Sequence, residues 1–457
     1  MPEENIEQVK DETPDRDGVT DAPPAVRRRF VYSRRNFFLA LGFLLVVIAI
    51  SAIVAVLLYR DGLADRYVKG RFTAKMEEIG VVFDADVFRL TLSPLELELR
   101  NATFNDKISG EKLFFVRDAR LGLTIQDLYS WQLSRDFSID STEINGAEAW
   151  IKFDADGKSN FSNLKLVEDQ AGSRVNFKYQ SVNFALRDSI VHFGDVSRKI
   201  AADANNVVFL LEPENYEVPD DEKRYKFDLS TTDAKFVYDD RPLTPIDLRA
   251  VGIADRMGAD ITNLRLTTPI SESTLNGKVT DWAALKYNLN IESSVDLTQT
   301  STIFPLGTAI RGVGNFKGTV SGEGENYKVD GNISSESLAA EGIYLKGVNV
   351  NATVEGTNAA YEANGNAVAE MLTFEDFRID FPKIAGNVRG TGTDFRWVGE
   401  LQAAAARSKS ITLGGLFLSD AVADYKDKEF AASAGNGRVQ RFSVKDNELA
   451  NLKVRNL

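Results

Sequence analysis

Leu95-Glu96-Leu97-Glu98-Leu99-Arg100 alternates apolar and charged side chains one by one. In a β-strand successive side chains point to opposite faces, so this hexapeptide makes one greasy face and one wet face. The same period of two returns in Arg120-Leu121-Gly122-Leu123-Thr124-Ile125 and in Val182-Asn183-Phe184-Ala185-Leu186-Arg187. It continues in Lys226-Phe227-Asp228-Leu229, Asn263-Leu264-Arg265-Leu266 and Tyr287-Asn288-Leu289-Asn290-Ile291-Glu292, and still holds at Val348-Asn349-Val350-Asn351. Gly, Asn and Asp punctuate these segments, which reads as strands separated by hairpin turns. Helical spacing is brief: Leu63 to Ile79, stopping at Gly80, and short turns at Asp127–Leu133 and Ser301–Leu306. The expectation is a mainly β, mostly antiparallel chain. Leu95, Leu97, Leu99, Leu121, Leu123, Ile125, Val182, Phe184, Leu186, Phe227, Leu229, Leu264, Leu266, Leu289 and Ile291 should share its apolar face.

Upstream of the strands, Phe37 to Leu58 is apolar and uncharged. At about 1.5 Å per helical residue it spans roughly 33 Å, enough to cross a bilayer core once. Arg27, Arg28, Arg29, Arg34 and Arg35 precede it. The positive-inside rule therefore expects a cytoplasmic N-terminus, with everything after Tyr59 across the membrane. Ser33-Arg34-Arg35-Asn36-Phe37-Phe38-Leu39 resembles a twin-arginine export signal. The apolar run is longer than a cleavable signal's, however, and Leu57-Leu58-Tyr59-Arg60 has no A-x-A site, so an uncleaved anchor is expected. The organisation expected is a disordered tail with a basic patch (1–35), a transmembrane helix (36–59), and β modules over 60–170, 171–300 and 301–457.

Composition narrows the function. The 457 residues carry a net charge of −13, with no cysteine and one histidine. Nucleic acid is excluded as a partner, because binding it needs a concentrated basic face. Disulfides and thiolate metal sites are excluded as well. Serine–histidine and histidine-rich zinc chemistry would have to pass through His192, which lies in the strand-like Ser189-Ile190-Val191-His192-Phe193 and reads as a packed residue. Gly312-x-Gly314-x-x-x-Gly318 runs on as strand and so offers no helix N-terminus to a phosphate. Asp154-Ala155-Asp156-Gly157 lacks the spacing of a calcium loop and reads as a tight turn. The acidic run Glu212 to Glu222 reads as a solvated loop. No catalytic residue, metal or cofactor is expected.

Alternation alone leaves two architectures open, stacked β-sandwiches or one extended sheet curled into a trough. Ile139-Asp140-Ser141-Thr142-Glu143-Ile144-Asn145-Gly146-Ala147-Glu148-Ala149-Trp150-Ile151-Lys152-Phe153, followed by Asp154-x-x-Gly157-x-x-Asn160, resembles the strand–turn–strand signature near the start of AsmA-family proteins. Leu92-Ser93-Pro94-Leu95-Glu96-Leu97 and Leu121-Gly122-Leu123 are similar to strands that follow that family's anchor. Leu186-Arg187-Asp188-Ser189-Ile190-Val191-His192-Phe193 resembles its recurring strand ending in an aromatic-Asp turn. Gly312-Val313-Gly314-Asn315-Phe316-Lys317-Gly318, Tyr327-Lys328-Val329-Asp330-Gly331 and Gly342-Ile343-Tyr344-Leu345-Lys346-Gly347-Val348 are similar to TamB-type repeats.

The resemblance implies a protein anchored in the inner membrane of diderm bacteria and extending into the periplasm. Like bridge-like lipid transfer proteins, it would carry an apolar β-groove for phospholipid transport or outer-membrane assembly. Phospholipid, the inner membrane and outer-membrane or envelope proteins are the partners so implied. Two rival readings are a ligand-free β-scaffold and a carboxylate-based envelope enzyme. About 25 strands stacked one per rung would extend roughly 120 Å. The last alternating segment, at Phe442 and Val444, would leave an open edge for a partner's strand.

Overall fold

The computed structural model describes residues 62–92, 94–125, 136–165, 176–178, 183–219, 222–304, 309–426, 429–444 and 447–455. The expected anchor Phe37–Leu58 and the turn at 127–133 lie outside them. Among the described residues no helix is long and apolar enough to cross a membrane.

Helix α1 (Leu63–Glu78) precedes β1 (Val81–Asp84), β2 (Val87–Leu92), β3 (Leu95–Asp106), β4 (Lys112–Ile125) and β5 (Asp136–Phe153). Next come β6 (Asn176–Lys178), β7 (Asn183–Asp195), β8 (Ile200–Pro213), β9 (Tyr225–Tyr238), β10 (Arg241–Ala254) and β11 (Ala259–Thr268). β12 (Ser271–Asp281) and β13 (Lys286–Asp296) lead to helix α2 (Leu297–Ile303), then β14 (Ile310–Glu323), β15 (Asn326–Ala340) and β16 (Ile343–Thr357). β17 (Ala360–Val368), β18 (Met371–Phe374), β19 (Phe377–Asp380), β20 (Lys383–Thr391), β21 (Asp394–Ser408), β22 (Ile411–Lys426), β23 (Glu429–Val444) and β24 (Asn447–Arg455) complete the chain.

All 24 strands belong to one sheet. Pairing is antiparallel throughout, except that β5 takes β6 and β7 in parallel. The ladder crosses both expected module boundaries without a break, through β5–β7 and β13–β14. Four pairs of strands share a rung: β1 and β2 on β3, β6 and β7 on β5, β17 and β18 on β16, β19 and β20 on β21. The 24 strands therefore make twenty rungs, and the sheet runs roughly 90 Å at about 4.8 Å per rung. The longer expectation failed because it gave every strand its own rung. All the strands belong to that one sheet, so among the described residues there is no separate second sheet.

Punctuation by Asn, Asp and Gly was read as turns, but several of these residues lie inside strands. Asn101, Gly146, Asp188, Asn206 and Asp233 all have φ between 47° and 68° inside strands; the register shifts at Asp188, Asn206 and Asp233, whereas at Asn101 and Gly146 the pairing skips a position and resumes in the same register. Each interrupts the alternation by one residue at positive φ, which Asn, Asp and Gly tolerate best. Apolar neighbours on either side keep their face, as Leu99 and Ala102 do around Arg100-Asn101. The extra residue falls on the polar face every time.

One end of the sheet has a closed core. Val68, Phe72 and Met76, four residues apart on α1, pack on Phe83, Ala85, Phe88, Leu99, Ala102 and Ala119. Phe72 meets Phe83 edge-on at 4.8 Å between ring centroids. Tyr67 on the same helix is 65% exposed. The helix also blunts the sheet's first edge: Asp65 accepts from the Leu90 N–H at 2.8 Å, and Lys69 donates to the Ala85 carbonyl at 2.8 Å. At the other end Phe442 and Val444 are not the edge, because β23 is paired by both β22 and β24. β24 pairs on one side only among the described residues.

After β5 the chain turns at Asp154, whose carboxylate accepts from the N–H groups of Asp156 and Lys158. Asn160 then covers the β5 edge, accepting from the Lys152 N–H and donating to the Trp150 carbonyl. Asn163 reaches Asp106, which is 1% exposed and also accepts from the Ile108 N–H and the Ser109 hydroxyl. The Asn163 and Ile108 hydrogen bonds hold the Asp106 carboxyl below the usual carboxylate range. A depressed folded-state pKa contributes stability that is present above the unfolded value and is lost as pH falls through the folded one. Thermal stability should therefore drop on acidification below about pH 4, and Asp106→Asn should flatten that limb. Asp106→Ala should cost about 1–3 kcal/mol in urea unfolding, since it strands three donors.

Candidate functional site

Cross-strand partners share a face, so following the pairing from strand to strand traces one side of the sheet from end to end. Leu99, Ala119, Ile144, Leu186, Phe209, Leu229, Ala250, Leu264, Leu275 and Ile291 succeed one another from β3 to β13. A second row, one position along each strand on the same face, runs Leu97, Leu121, Thr142, Phe184, Leu211, Phe227, Gly252, Ile261, Gly277 and Leu289. Leu95, Leu123 and Leu266 flank these rows on that face. The structure thus brings thirteen of the fifteen residues singled out from the sequence onto one surface. Val182 and the side chain of Ile125 lie outside the described residues.

The surface is not uniform. Leu99 is 6% exposed inside the core under α1, with Leu97 and Leu121 packed at its margin. Beyond β5 the residues of the two rows are half-buried, except Ala250, which is buried. Ser273 and Ser293 interrupt the apolar character, but their hydroxyls bond each other at 2.7 Å.

From β14 onward the first row becomes a line of small residues: Gly318, Gly331, Ala352, Gly365, Gly386, Gly399, Ala421 and Ala434. A Cβ on Gly318, Gly365, Gly386 or Gly399 would run into the carbonyl of Asp330, Asn351, Val398 or Ala385 on the neighbouring strand. Close approach of the backbones, not a turn, is what requires glycine here. Rings lie over the gaps, Phe316 on Gly318 and Gly331, and Trp397 on Gly386 and Gly399. Nearer the hairpin turns a further row alternates Tyr287, Gly322, Tyr327, Gly356, Tyr361, Gly390 and Phe395.

Reading period two alone missed these rows, yet their signal is in the sequence. Gly322, Gly356 and Gly390 are 34 residues apart, each followed five positions later by Tyr327, Tyr361 or Phe395, and then by Gly331, Gly365 or Gly399. This is a two-strand repeat.

The opposite face is wet. Ion pairs span neighbouring strands: Arg249–Asp228 at 2.9 Å, Lys317–Glu292 at 2.6 Å, Lys328–Glu355 at 2.7 Å and Arg389–Glu362 at 3.1 Å. A cavity of about 1010 Å³ opens near the hairpin turns, bordered by Lys286, Asn288, Lys328 and Glu355 and also by Tyr287 and Tyr327. His192 also faces this side. It stacks on Trp150 at 5.4 Å and bonds Asp203 at 2.7 Å, so it is a polar-face residue rather than an apolar one. No group of metal-ligating side chains occurs among the described residues.

No family model, curated protein or solved structure matches this chain.

The glycine row makes a sharp expectation. Gly399→Val should cost about 1–3 kcal/mol in urea unfolding, because its side chain must displace the Ala385 carbonyl. Ala421→Gly in the same row should cost no more than about 1 kcal/mol.

Proposed function

We propose that this chain is a membrane-anchored envelope protein whose sheet curls into an open apolar trough that carries the acyl chains of phospholipid. Its role in this reading is lipid transport between the inner and outer membranes, or outer-membrane assembly. One observation carries the proposal: an apolar face that strand pairing carries along the whole ladder of a single sheet, with its residues beyond the α1 core mostly half-buried rather than buried. Each bulge adds a residue to the polar face, which lengthens that face and supports a bend toward the apolar one. Each buried methylene gains about 0.8 kcal/mol, so a sixteen-carbon chain left in water costs on the order of 12 kcal/mol. An apolar face that follows the chain along the ladder offsets most of this cost at every step and needs no catalytic group. The sequence resemblance to AsmA-family proteins and TamB-type repeats points the same way.

The Phe37–Leu58 segment is the anchor in this proposal, with Arg34 cytoplasmic and the strands periplasmic. The free side of β24 is where a strand of an envelope protein would add.

Organic extracts of the purified full chain should contain phospholipid by mass spectrometry. Photo-crosslinkers at Leu123 and Phe184 should label it, while those at Glu96 and Asn183 should not. Phe184→Asp should reduce the recovered lipid at least about tenfold with the β circular dichroism unchanged, because a charge in an open trough still reaches water. Unfolding of that variant would instead mark a closed, ligand-free scaffold, since a buried unpaired charge is not tolerated. N-terminal sequencing of the mature protein should find residues before Phe37; a start beyond Leu58 would overturn the anchor.

A further inference from the structure

The two long margins of the apolar face differ over β13 to β18. Along the margin next to the hairpin turns lie Tyr287, Tyr327 and Tyr361, each at the second position of its strand and on alternate rungs of the ladder. Two rungs are about 9.6 Å, which sets the interval between successive tyrosines. Each ring lies over the glycine of the next strand, Gly322, Gly356 and Gly390 in turn. The opposite margin of the same rungs is aliphatic, with Ile310, Leu338, Ile343, Leu345 and Leu372 in register.

The three hydroxyls are the unusual part. None has a hydrogen-bond partner among the described residues, and none is buried without one, so each keeps some accessible surface. Covering a glycine requires no O–H, since the Phe316 ring does the same work over Gly318 and Gly331. Tyrosine belongs where one end is apolar and the other wet.

We infer that the tyrosine margin holds the polar end of a bound phospholipid, with its acyl chains directed across the valine and glycine rows toward the aliphatic margin. This rests on the trough reading and deepens it, because it gives the trough a headgroup side. The hydroxyls donate to or accept from phosphate and ester oxygens at a repeat of about 9.6 Å, so the lipid is handed along the ladder from one tyrosine to the next. Val320, Val329 and Val354, one inward position from the tyrosine row, supply the first apolar contact below the headgroup.

The test uses the purified full chain and two photoreactive phosphatidylethanolamines, one with a diazirine on the headgroup and one with it at the acyl terminus. Cross-linked residues are mapped by mass spectrometry. The headgroup probe should label the margin around Tyr287, Tyr327 and Tyr361, and the acyl probe should label the glycine row and the Leu338–Ile343 margin. A triple variant Tyr287→Phe, Tyr327→Phe, Tyr361→Phe keeps every ring over its glycine. It should lose headgroup labelling at this margin about tenfold, as expected for one or two hydrogen bonds, with acyl labelling unchanged. Headgroup labelling at Leu338 or Ile343, or an unaltered pattern in the triple variant, overturns the inference while leaving the trough intact. If neither probe labels the apolar face of the wild-type chain, the trough reading itself fails.

Discussion

A sheet with one apolar face and no second layer has to settle where that face goes. This constraint organises the molecule. Sandwiches settle it by stacking a second sheet about 10 Å away, and closed barrels by joining the first strand to the last. Among the described residues all strands belong to one sheet with no separate second sheet, and β3 meets β1 and β2 rather than β24, so the ladder stays open. Cover is local: α1 and the Asn160–Asn163 strap close the first rungs, and α2 lies against β10, β13 and β14. Bending is the remaining way to lower exposure, and the chain carries two devices for it.

Those devices divide the sheet. In β3 to β9 the bulge residues at positive φ lie on the polar face, which in the proposed trough favours a bend toward the apolar one. From β14 onward the glycine row adds a second device, letting neighbouring backbones approach where a side chain would collide. The cost is lost side-chain packing on the floor of the apolar face, and Phe316 and Trp397 make up part of it by laying rings across the glycines. The tyrosines do the same nearer the turns, but their hydroxyls are not needed for that. This excess of chemistry over structural need is what makes that margin informative about function.

The charged face follows another logic. Its ion pairs are exposed, and exposed pairs contribute little stability each. Their work is to keep one side of a long sheet wet and to set the facing of each strand, because a one-residue slip would turn every lysine and glutamate inward. The edges are also managed unequally. Asp65 and Lys69 occupy backbone groups beside β2, whereas β24 carries no such cover among the described residues.

Sequence by itself determined the class of structure and the facing of its strands. Alternation is a local property, and Leu97, Phe184, Leu229 and Ile291 came out on one face because a period of two leaves no other choice once pairing is in register. Helix α1 was equally legible from its spacing and from Gly80. Tertiary structure decided what depends on neighbours. Asp188, Asn206 and Asp233 look the same in sequence whether they turn a chain or bulge a strand, and only the partner strand's register tells which. Four shared rungs shortened the sheet for the same reason, since sharing is a property of pairing and not of any segment. His192 reached the polar face because the bulge at Asp188 resets the alternation before it. The 34-residue repeat is in the sequence, but only hydrogen bonding between strands, which pairs Gly322 with Tyr327 and Tyr327 with Gly356, turns it into rows across the sheet.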